Sequence, residues 1–274
     1  HAWSMHVSGR CIGVGQVACT LASHPHTLSH APTPHARAQV WGTDNRLFEA
    51  GGKLRVQYET MVAPRALREF NLRTEGGHGE EGREGSDGGG GGGGVCWLAP
   101  TTLHVQPAPG YEQARYATRR LEVCARDGTA VPLTLLWRRD RVTTEAGLPR
   151  DAPTHLYGYG AYGVCIDPHF SSARLSLIDR GVVYAIAHVR GGGEMGHHRW
   201  YETDGKYLRK RNSFHDFVDC AAALCERGIT RPGALSCEGR SAGGLLVGGS
   251  INEAPHLFCA AVAAVPFVDV MVSI

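Results

Sequence analysis

The stretch Leu235-Ser236-Cys237-Glu238-Gly239-Arg240-Ser241-Ala242-Gly243-Gly244-Leu245-Leu246 decides the fold. It contains the pattern Gly-x-Ser-x-Gly at residues 239–243, with a strand-like pattern before it and a helix-like pattern after it. In that context a serine lies on a tight, strained turn, and its Oγ projects above the sheet. Gly239 and Gly243 are needed because a Cβ at either position would collide with the neighbouring strand or helix. The pattern therefore predicts a nucleophile elbow with Ser241 at its tip; the alternative is a glycine-rich turn capped by a serine.

Strand and helix patterns alternate around this stretch. The apolar run at 182–187 is typical of a strand buried on both faces of a parallel sheet. Residues 213–227 place apolar side chains every three or four positions, which predicts an amphipathic helix, and Ser213 with Asp216 resembles a capping box. Further strands are expected at 121–125, 131–137, 155–159, 234–238 and 258–265, and further helices at 170–179 and 242–252. The alternation predicts an α/β fold with a mostly parallel sheet and helices on both faces.

The first third of the chain has a different character. Residues 1–40 show no clear period, and we expect them to be poorly ordered; their histidines lack the carboxylates or cysteines that would complete a metal site. Residues 53–60 and 67–72 alternate around a turn at Ala63-Pro64, which predicts a β-hairpin within 41–74. Residues 75–94 are rich in glycine and lack apolar side chains, so we expect a flexible insertion.

Composition limits the possible partners. The chain has 274 residues, 20% of them charged, and a net charge of +2, which does not favour a nucleic-acid-binding surface. The sequence contains no run of 18 apolar residues, so it does not predict a transmembrane helix. The nine cysteines are odd in number and form no Cys-x-x-Cys pair, so free thiols in a reducing compartment, the cytoplasm, are expected.

Several motifs in the second half occur together and in order. They are Tyr157-Gly158-Tyr159-Gly160-Ala161-Tyr162-Gly163, Arg174-Leu175-Ser176-Leu177-Ile178-Asp179-Arg180-Gly181, His188-Val189-Arg190-Gly191-Gly192-Gly193-Glu194-Met195-Gly196, the elbow itself, and Val265-Pro266-Phe267-Val268-Asp269-Val270. With these motifs the region 107–274 resembles the peptidase domain of the prolyl oligopeptidase family of serine peptidases, and most of all its oligopeptidase B branch.

The resemblance implies an α/β-hydrolase fold over 107–274, incomplete, with a remnant of a β-propeller at 41–74. It implies that Ser241 is the acylated nucleophile and that the Ala242 N–H and the Tyr159 hydroxyl bind the oxyanion. Tyr162 would lie near the substrate pocket, and Gly239 and Gly243 would shape the elbow. Short peptides would be the substrates, cut after Lys or Arg; no metal or organic cofactor is implied, and the oligomeric state is left open.

A serine hydroxyl needs a general base, and the order of the triad in this fold is serine, acid, histidine. The candidates in the chain are Glu253, Asp269 and His256 after the serine, and His188 and His215 before it. None has the expected order and position, so we expect the triad acid and base beyond Ile274 and an inactive chain on its own. Prolyl-endopeptidase, acylaminoacyl-peptidase or esterase specificity remain alternatives, as does an inactive α/β-hydrolase binding module.

The chain also departs from the family in detail. The segments His197-His198 and Glu202-Thr203-Asp204-Gly205 each carry one residue more than the usual pattern, and the insertion at 75–94 is foreign to it. These departures put the local loop geometry in doubt and leave the elbow unaffected.

Overall fold

A computed structural model describes the backbone of residues 4–7, 10–13, 39–42, 53–74, 95–97 and 100–269, and the side chains of residues 53–71 and 100–269. The predicted insertion at 75–94 lies outside the described residues, and so does most of the segment 1–40. The chain divides into two units, one within residues 1–107 and one formed mainly by residues 108–274, to which the turn Thr60–Ala63 also belongs.

The first unit consists of antiparallel strands. They are β1 (Ser4–Val7), β2 (Arg10–Gly13), β3 (Gln39–Gly42), β4 (Lys53–Glu59), β5 (Ala66–Thr74), β6 (Val95–Trp97) and β7 (Thr101–Val105). Strands β4 and β5 form the hairpin that the alternating pattern predicts, with Leu54 opposite Phe70 and both side chains buried. Strand β3 lies on the other side of β4, and β6 and β7 both pair with β5. An antiparallel sheet of this kind is compatible with a propeller blade, and that assignment stays a prediction.

The second unit contains a six-stranded mixed sheet. Its strands are β8 (Tyr116–Cys124), β9 (Ala130–Arg138), β12 (Thr154–Tyr157), β13 (Val183–Ala187), β14 (Leu235–Arg240) and β15 (Ala260–Ala264); β10 (Thr144–Glu145) and β11 (Leu148–Pro149) form a separate small hairpin. The order is β15-β14-β12-β13-β9-β8. Strands β13, β12, β14 and β15 run parallel, and β8 and β9 pair antiparallel at the other end. The mostly parallel sheet that the alternation predicts is therefore confirmed.

Among the described residues, three helices cover the two faces of this sheet: α1 (Ser172–Ile178), α2 (Arg211–Glu226) and α3 (Ala242–Glu253). Strand β13 is buried along its whole length, and its alternate residues belong to two separate cores. Ala185 packs in the core that contains residues of α2 and α3, whereas Ile186 packs with Ile178 of α1. The run at 182–187 is apolar because β13 is buried on both of its faces.

The capping-box interpretation of Ser213 and Asp216 is wrong. Helix α2 begins at Arg211, so Ser213 is the third residue of the helix. The Ser213 hydroxyl donates to the carbonyl of Arg190 at 2.6 Å. The Asp216 carboxylate accepts from the backbone N–H and the guanidinium of the same Arg190. Both side chains are occupied by a distant loop, which a local cap pattern cannot reveal.

Short helical turns lie between these elements. They are 3₁₀ turns at Gln113–Arg115, Tyr207–Arg209, Pro232–Ala234 and Pro255–Leu257, and a π-helical turn at His198–Thr203. In the π turn the N–H of Asp204 donates to the carbonyl of Arg199, five residues back. A π turn holds more residues than an α turn, so it can accommodate the additional residue that is expected in this segment. Within the described ranges no helix is long and apolar enough to cross a membrane.

Candidate active site

Ser241 joins the end of β14 to the start of α3. Its backbone has φ 55° and ψ −118°, a conformation that is strained for a residue with a Cβ. Its N–H donates to the carbonyl of Ala264, and its own carbonyl accepts from the N–H groups of Gly244 at 2.8 Å and Phe267 at 3.0 Å. The peptide groups on both sides of the serine are thus fixed, while the residue itself is exposed. This is the sharp strand-to-helix turn that the Gly-x-Ser-x-Gly pattern predicts.

The two glycines of the pattern lie at close backbone approaches. A Cβ on Gly239 would collide with the carbonyl oxygen of Gly243 in the first turn of α3. A Cβ on Gly243 would lie 2.7 Å from the carbonyl oxygen of Gly158, which follows β12. The contact at Gly239 lets α3 pack closely against the end of β14. The contact at Gly243 lets the elbow pack closely against the loop that carries Tyr159.

Tyr159 lies beside the elbow. Its Cα and Cδ2 are each 3.4 Å from the position of a Cβ on Gly243, and the preceding Gly158 N–H donates to the carbonyl of Glu238 at 3.2 Å. Burial raises the pKa of the Tyr159 phenol, and the nearby Tyr162 raises it further. A phenol with a raised pKa stays a neutral hydrogen-bond donor throughout the physiological range.

The other predicted site residues flank this pair. Ala242 is the first residue of α3, so its N–H has no partner within the helix and carries the positive end of the helix dipole. Tyr162 has a φ of 57° and is 60% exposed on the same loop as Tyr159. A hydrogen bond holds the loop just after Tyr162, because the N–H of Gly163 donates to the carbonyl of Gly191 at 3.0 Å.

No histidine among the described residues hydrogen-bonds to the Ser241 hydroxyl. His188 is buried and its Nε2 lies 2.9 Å from Thr134 Oγ1, and His215 Nε2 lies 3.7 Å from the carboxylate of Glu253. Glu253 also binds Arg126, at 2.6 Å. These groups are engaged with partners of their own.

Arg190 holds the loop next to the site. It is buried, and its guanidinium binds the fully buried Asp216 at 2.6 Å and Asp127 at 2.5 Å. The two carboxylates raise the pKa of Arg190 against the opposing effect of burial. This network fixes the start of the glycine-rich segment 191–193. Across the described side chains, no cluster of three metal-binding groups is found.

One residue near the site carried no sequence prediction. The Lys210 ammonium donates to the carbonyl of Gly160, the residue after Tyr159, and lies 3.2 Å from the hydroxyl of Ser213. The sequence feature that could have identified it is the spacing of three residues from Lys210 to Ser213 and from Ser213 to Asp216. This spacing puts three polar groups along one side of a helix.

The comparisons with known proteins agree on one family. A family model described as the prolyl oligopeptidase family matches residues 168–273. Dipeptidyl aminopeptidase BI from Pseudoxanthomonas mexicana is 40% identical over 221 residues, which cover 80% of this chain and 26% of the relative. Protease 2 from Moraxella lacunata is 38% identical over 79% of this chain and 27% of its own length.

A solved structure extends the match to the fold. Oligopeptidase B from Trypanosoma brucei with covalently bound antipain superimposes with a TM-score of 0.68 at 40% identity, over 85% of this chain and 29% of that one. The chain spans about a quarter of the length of the curated relatives it matches. The six-stranded sheet and its helices have the α/β-hydrolase fold, and residues 168–273 belong to the prolyl oligopeptidase family.

Proposed function

We propose that this chain carries the nucleophile of a serine-type peptidase that hydrolyses short peptides through an acyl-enzyme on Ser241. The observation that carries the proposal is the backbone of Ser241, with φ 55° and ψ −118°, at an exposed turn between β14 and α3. A strained, solvent-accessible serine at that point is the arrangement in which an α/β-hydrolase presents its nucleophile. The names of the two relatives, a dipeptidyl aminopeptidase and a protease, support peptidase chemistry.

In the proposed acylation step, Ser241 Oγ attacks the carbonyl carbon of the scissile amide and its proton passes to a histidine. The oxyanion that forms accepts hydrogen bonds from the Ala242 N–H and the Tyr159 hydroxyl. Collapse of the tetrahedral intermediate breaks the C–N bond, the histidine returns the proton to the leaving amine, and an ester on Ser241 remains. Water then hydrolyses this ester by the same sequence of proton transfers.

The histidine and its acid partner belong, in this proposal, to a part of the protein beyond Ile274. The triad order of this fold puts both groups after the serine. The described histidines support this view, since His188 and His155 bind other partners within the sheet. Loss of triad function costs on the order of a millionfold in turnover, so we propose that residues 1–274 alone are inactive.

For specificity we propose cleavage after Lys or Arg. The support is the 40% identity to an oligopeptidase B. Two alternatives within the class come from the names of other relatives: a dipeptidyl aminopeptidase at 40% identity and a prolyl endopeptidase from Elizabethkingia meningoseptica at 30%. Chromogenic substrates that place Arg, Pro, a dipeptide with a free amino terminus or a single acetylated amino acid before the scissile bond, offered to the full-length gene product, separate these specificities by their relative kcat/KM.

The second candidate function is an inactive α/β-hydrolase module used for binding. It is favoured by the lack, among the described residues, of a histidine hydrogen-bonded to Ser241. Sequencing the transcript beyond Ile274 decides between the two. An Asp followed by a His at strand spacing supports the peptidase, and an early stop codon supports the inactive module.

An active-site fluorophosphonate probe tests the main proposal. We expect it to label the full-length gene product, to fail with Ser241→Ala, and to label the matched variant Ser176→Ala, which changes an exposed serine on α1. Labelling that persists in Ser241→Ala would overturn the proposal. Rapid stoichiometric labelling of residues 1–274 alone would overturn the part that puts the base elsewhere.

A further inference from the structure

Three polar side chains at the start of helix α2, one on the residue that precedes it and two within it, reach the backbone of two loops beside the elbow. Asp216 accepts from the N–H of Arg190 at 2.9 Å, and Ser213 donates to the carbonyl of the same residue at 2.6 Å. One turn earlier, Lys210 donates to the carbonyl of Gly160. Residues three apart lie on one side of a helix, so α2 presents these groups as a row to the Tyr159 loop and the Arg190 loop.

Lys210 is the member of this row that contacts the Tyr159 loop with a charged group. Its ammonium is largely removed from water, and this burial lowers the pKa of Lys210 to about 8. Within the described residues no carboxylate forms an ion pair with it, and its polar contacts are the Gly160 carbonyl and the Ser213 hydroxyl. A buried cation needs strong acceptors to offset its lost hydration, and a backbone carbonyl is the principal one here.

The Gly160 carbonyl is held in a crowded place. Gly160 has a φ of +63°, and a Cβ on it would lie 2.6 Å from Val189 Cγ2 and 3.1 Å from the carbonyl oxygen of Arg190. A Cβ on Gly191 would collide with the Gly160 carbonyl oxygen itself. The orientation of the peptide group between Gly160 and Ala161, one residue beyond Tyr159, is therefore fixed by close packing on one side and by the Lys210 hydrogen bond on the other.

We propose that Lys210 is a positioning residue for the oxyanion hole: by binding the Gly160 carbonyl it fixes the orientation of the Gly160–Ala161 peptide in the loop that carries Tyr159, and with it the place of the Tyr159 hydroxyl. The inference rests on the proposed function of Tyr159. Lys210 has no contact with the reacting atoms in this role. Its removal should lower kcat and leave KM nearly unchanged, because an oxyanion donor acts mainly in the transition state.

The test is a double-mutant cycle in the full-length gene product, with Lys210→Met, Tyr159→Phe and both together. We expect Lys210→Met to lower kcat by about 10- to 100-fold, since a displacement of about 1 Å of a catalytic group has effects of that size. In the Tyr159→Phe background the same substitution should change kcat by less than about twofold, because coupled residues are not additive. Lys206→Met is the matched control, a lysine of the same loop whose Nζ lies over the Tyr201 ring at 5.1 Å; it should leave kcat unchanged.

Hydrogen exchange on residues 1–274 gives a second readout that needs no activity. In Lys210→Met and in Lys210→Gln, the amide of Gly163, which binds the Gly191 carbonyl, should exchange faster, whereas amides of β13 should keep their protection. Additive kcat effects in an active enzyme, or unchanged exchange at Gly163, would overturn the role of Lys210. A wild-type full-length protein that neither hydrolyses peptides nor reacts with the probe would instead overturn the proposed function.

Discussion

Gly243 lies against the carbonyl oxygen of Gly158, so close that a Cβ on Gly243 would be 2.7 Å from that oxygen. This contact joins the first turn of α3 to the residue before Tyr159, and so it brings the elbow and the predicted oxyanion loop to the same end of the sheet. Both contributions to the proposed oxyanion hole, the Ala242 N–H and the Tyr159 hydroxyl, depend on it. A single close backbone contact thus determines whether the site can assemble.

The first prediction concerns Gly243→Ala. The added methyl group has no free space, and the atom closest to it is the backbone oxygen of Gly158, so the strand end or the helix must shift. Overpacking of this kind costs about 1–3 kcal/mol. Urea unfolding should show that loss of free energy of unfolding, and the full-length variant should lose probe labelling at Ser241.

Gly248→Ala in the same helix is the matched control. A Cβ at Gly248 meets no atom within 4 Å, and alanine is favoured over glycine inside a helix by roughly 0.5–1 kcal/mol. The control should therefore be slightly more stable than the wild type. Equal effects of the two substitutions would contradict the packing argument.

The second prediction concerns Tyr159→Phe. Removal of one oxyanion donor lowers kcat by about 10²–10³-fold. Because burial and the nearby Tyr162 raise the pKa of Tyr159, the wild-type phenol should remain a donor through the neutral and mildly alkaline range, and the ratio of wild-type to variant kcat should stay constant there. Steady-state kinetics of the full-length protein over that pH range measure the ratio.

Tyr162→Phe is the comparison for this experiment. Tyr162 lies on the same loop and is exposed, and its predicted role is to contact substrate. It should alter KM and leave kcat close to the wild-type value. A Tyr159→Phe enzyme with full kcat would remove Tyr159 from the oxyanion hole.

The third prediction concerns the acid limb of the stability curve. Burial acts to raise the pKa of Asp127, but hydrogen bonds from Arg190 and Thr129 outweigh it and lower the pKa to about 2. An unfolded aspartate titrates near 3.9, so the stabilisation is present above about pH 4 and is lost as the pH falls towards 2. Asp127→Asn should make the free energy of unfolding less dependent on pH between about 4 and 2, as followed by thermal melts at each pH.

Asp151→Asn provides the contrast, since Asp151 pairs with Arg231 through two mostly exposed side chains. Exposed pairs of this kind contribute little, so its pH dependence should match that of the wild type. The assignment fails if both variants show the same acid limb as the wild type.

Apolar periodicity made most of the second unit predictable. The run at 182–187 indicated β13 because a strand covered on both faces has no exposed side, and the spacing of three and four in 213–227 gave α2 within two residues of its observed bounds. The elbow was predictable for a different reason. Its glycines are required by backbone contacts, so the pattern Gly-x-Ser-x-Gly records tertiary structure in local sequence.

The contacts of α2 with the two loops were not predictable in the same way. Ser213 binds a carbonyl 23 residues away, and Lys210 binds one 50 residues away, so neither partner appears in the local pattern. A serine followed three residues later by an acid satisfies the capping-box pattern whether or not a helix begins there. Only the fold, which brings the carbonyls of Gly160 and Arg190 to one side of α2, distinguishes the two uses.

The last prediction concerns strand β15. Within the described residues it pairs with β14 only, and Val262 is 49% exposed on it. An open apolar edge is a template for association, so residues 1–274 should self-associate as concentration rises, as measured by sedimentation velocity. Val262→Lys should raise the monomer fraction, because the new ammonium lies beside Glu238 in the register of β14 and β15 and discourages edge pairing.

Leu208→Lys is the control. It removes an even more exposed apolar side chain and adds the same charge, but it does so in a 3₁₀ turn away from the strand edge, so it should have a smaller effect. Equal gains from the two lysines would assign the association to general surface hydrophobicity, and a monomeric wild type at all concentrations would contradict the role of the edge.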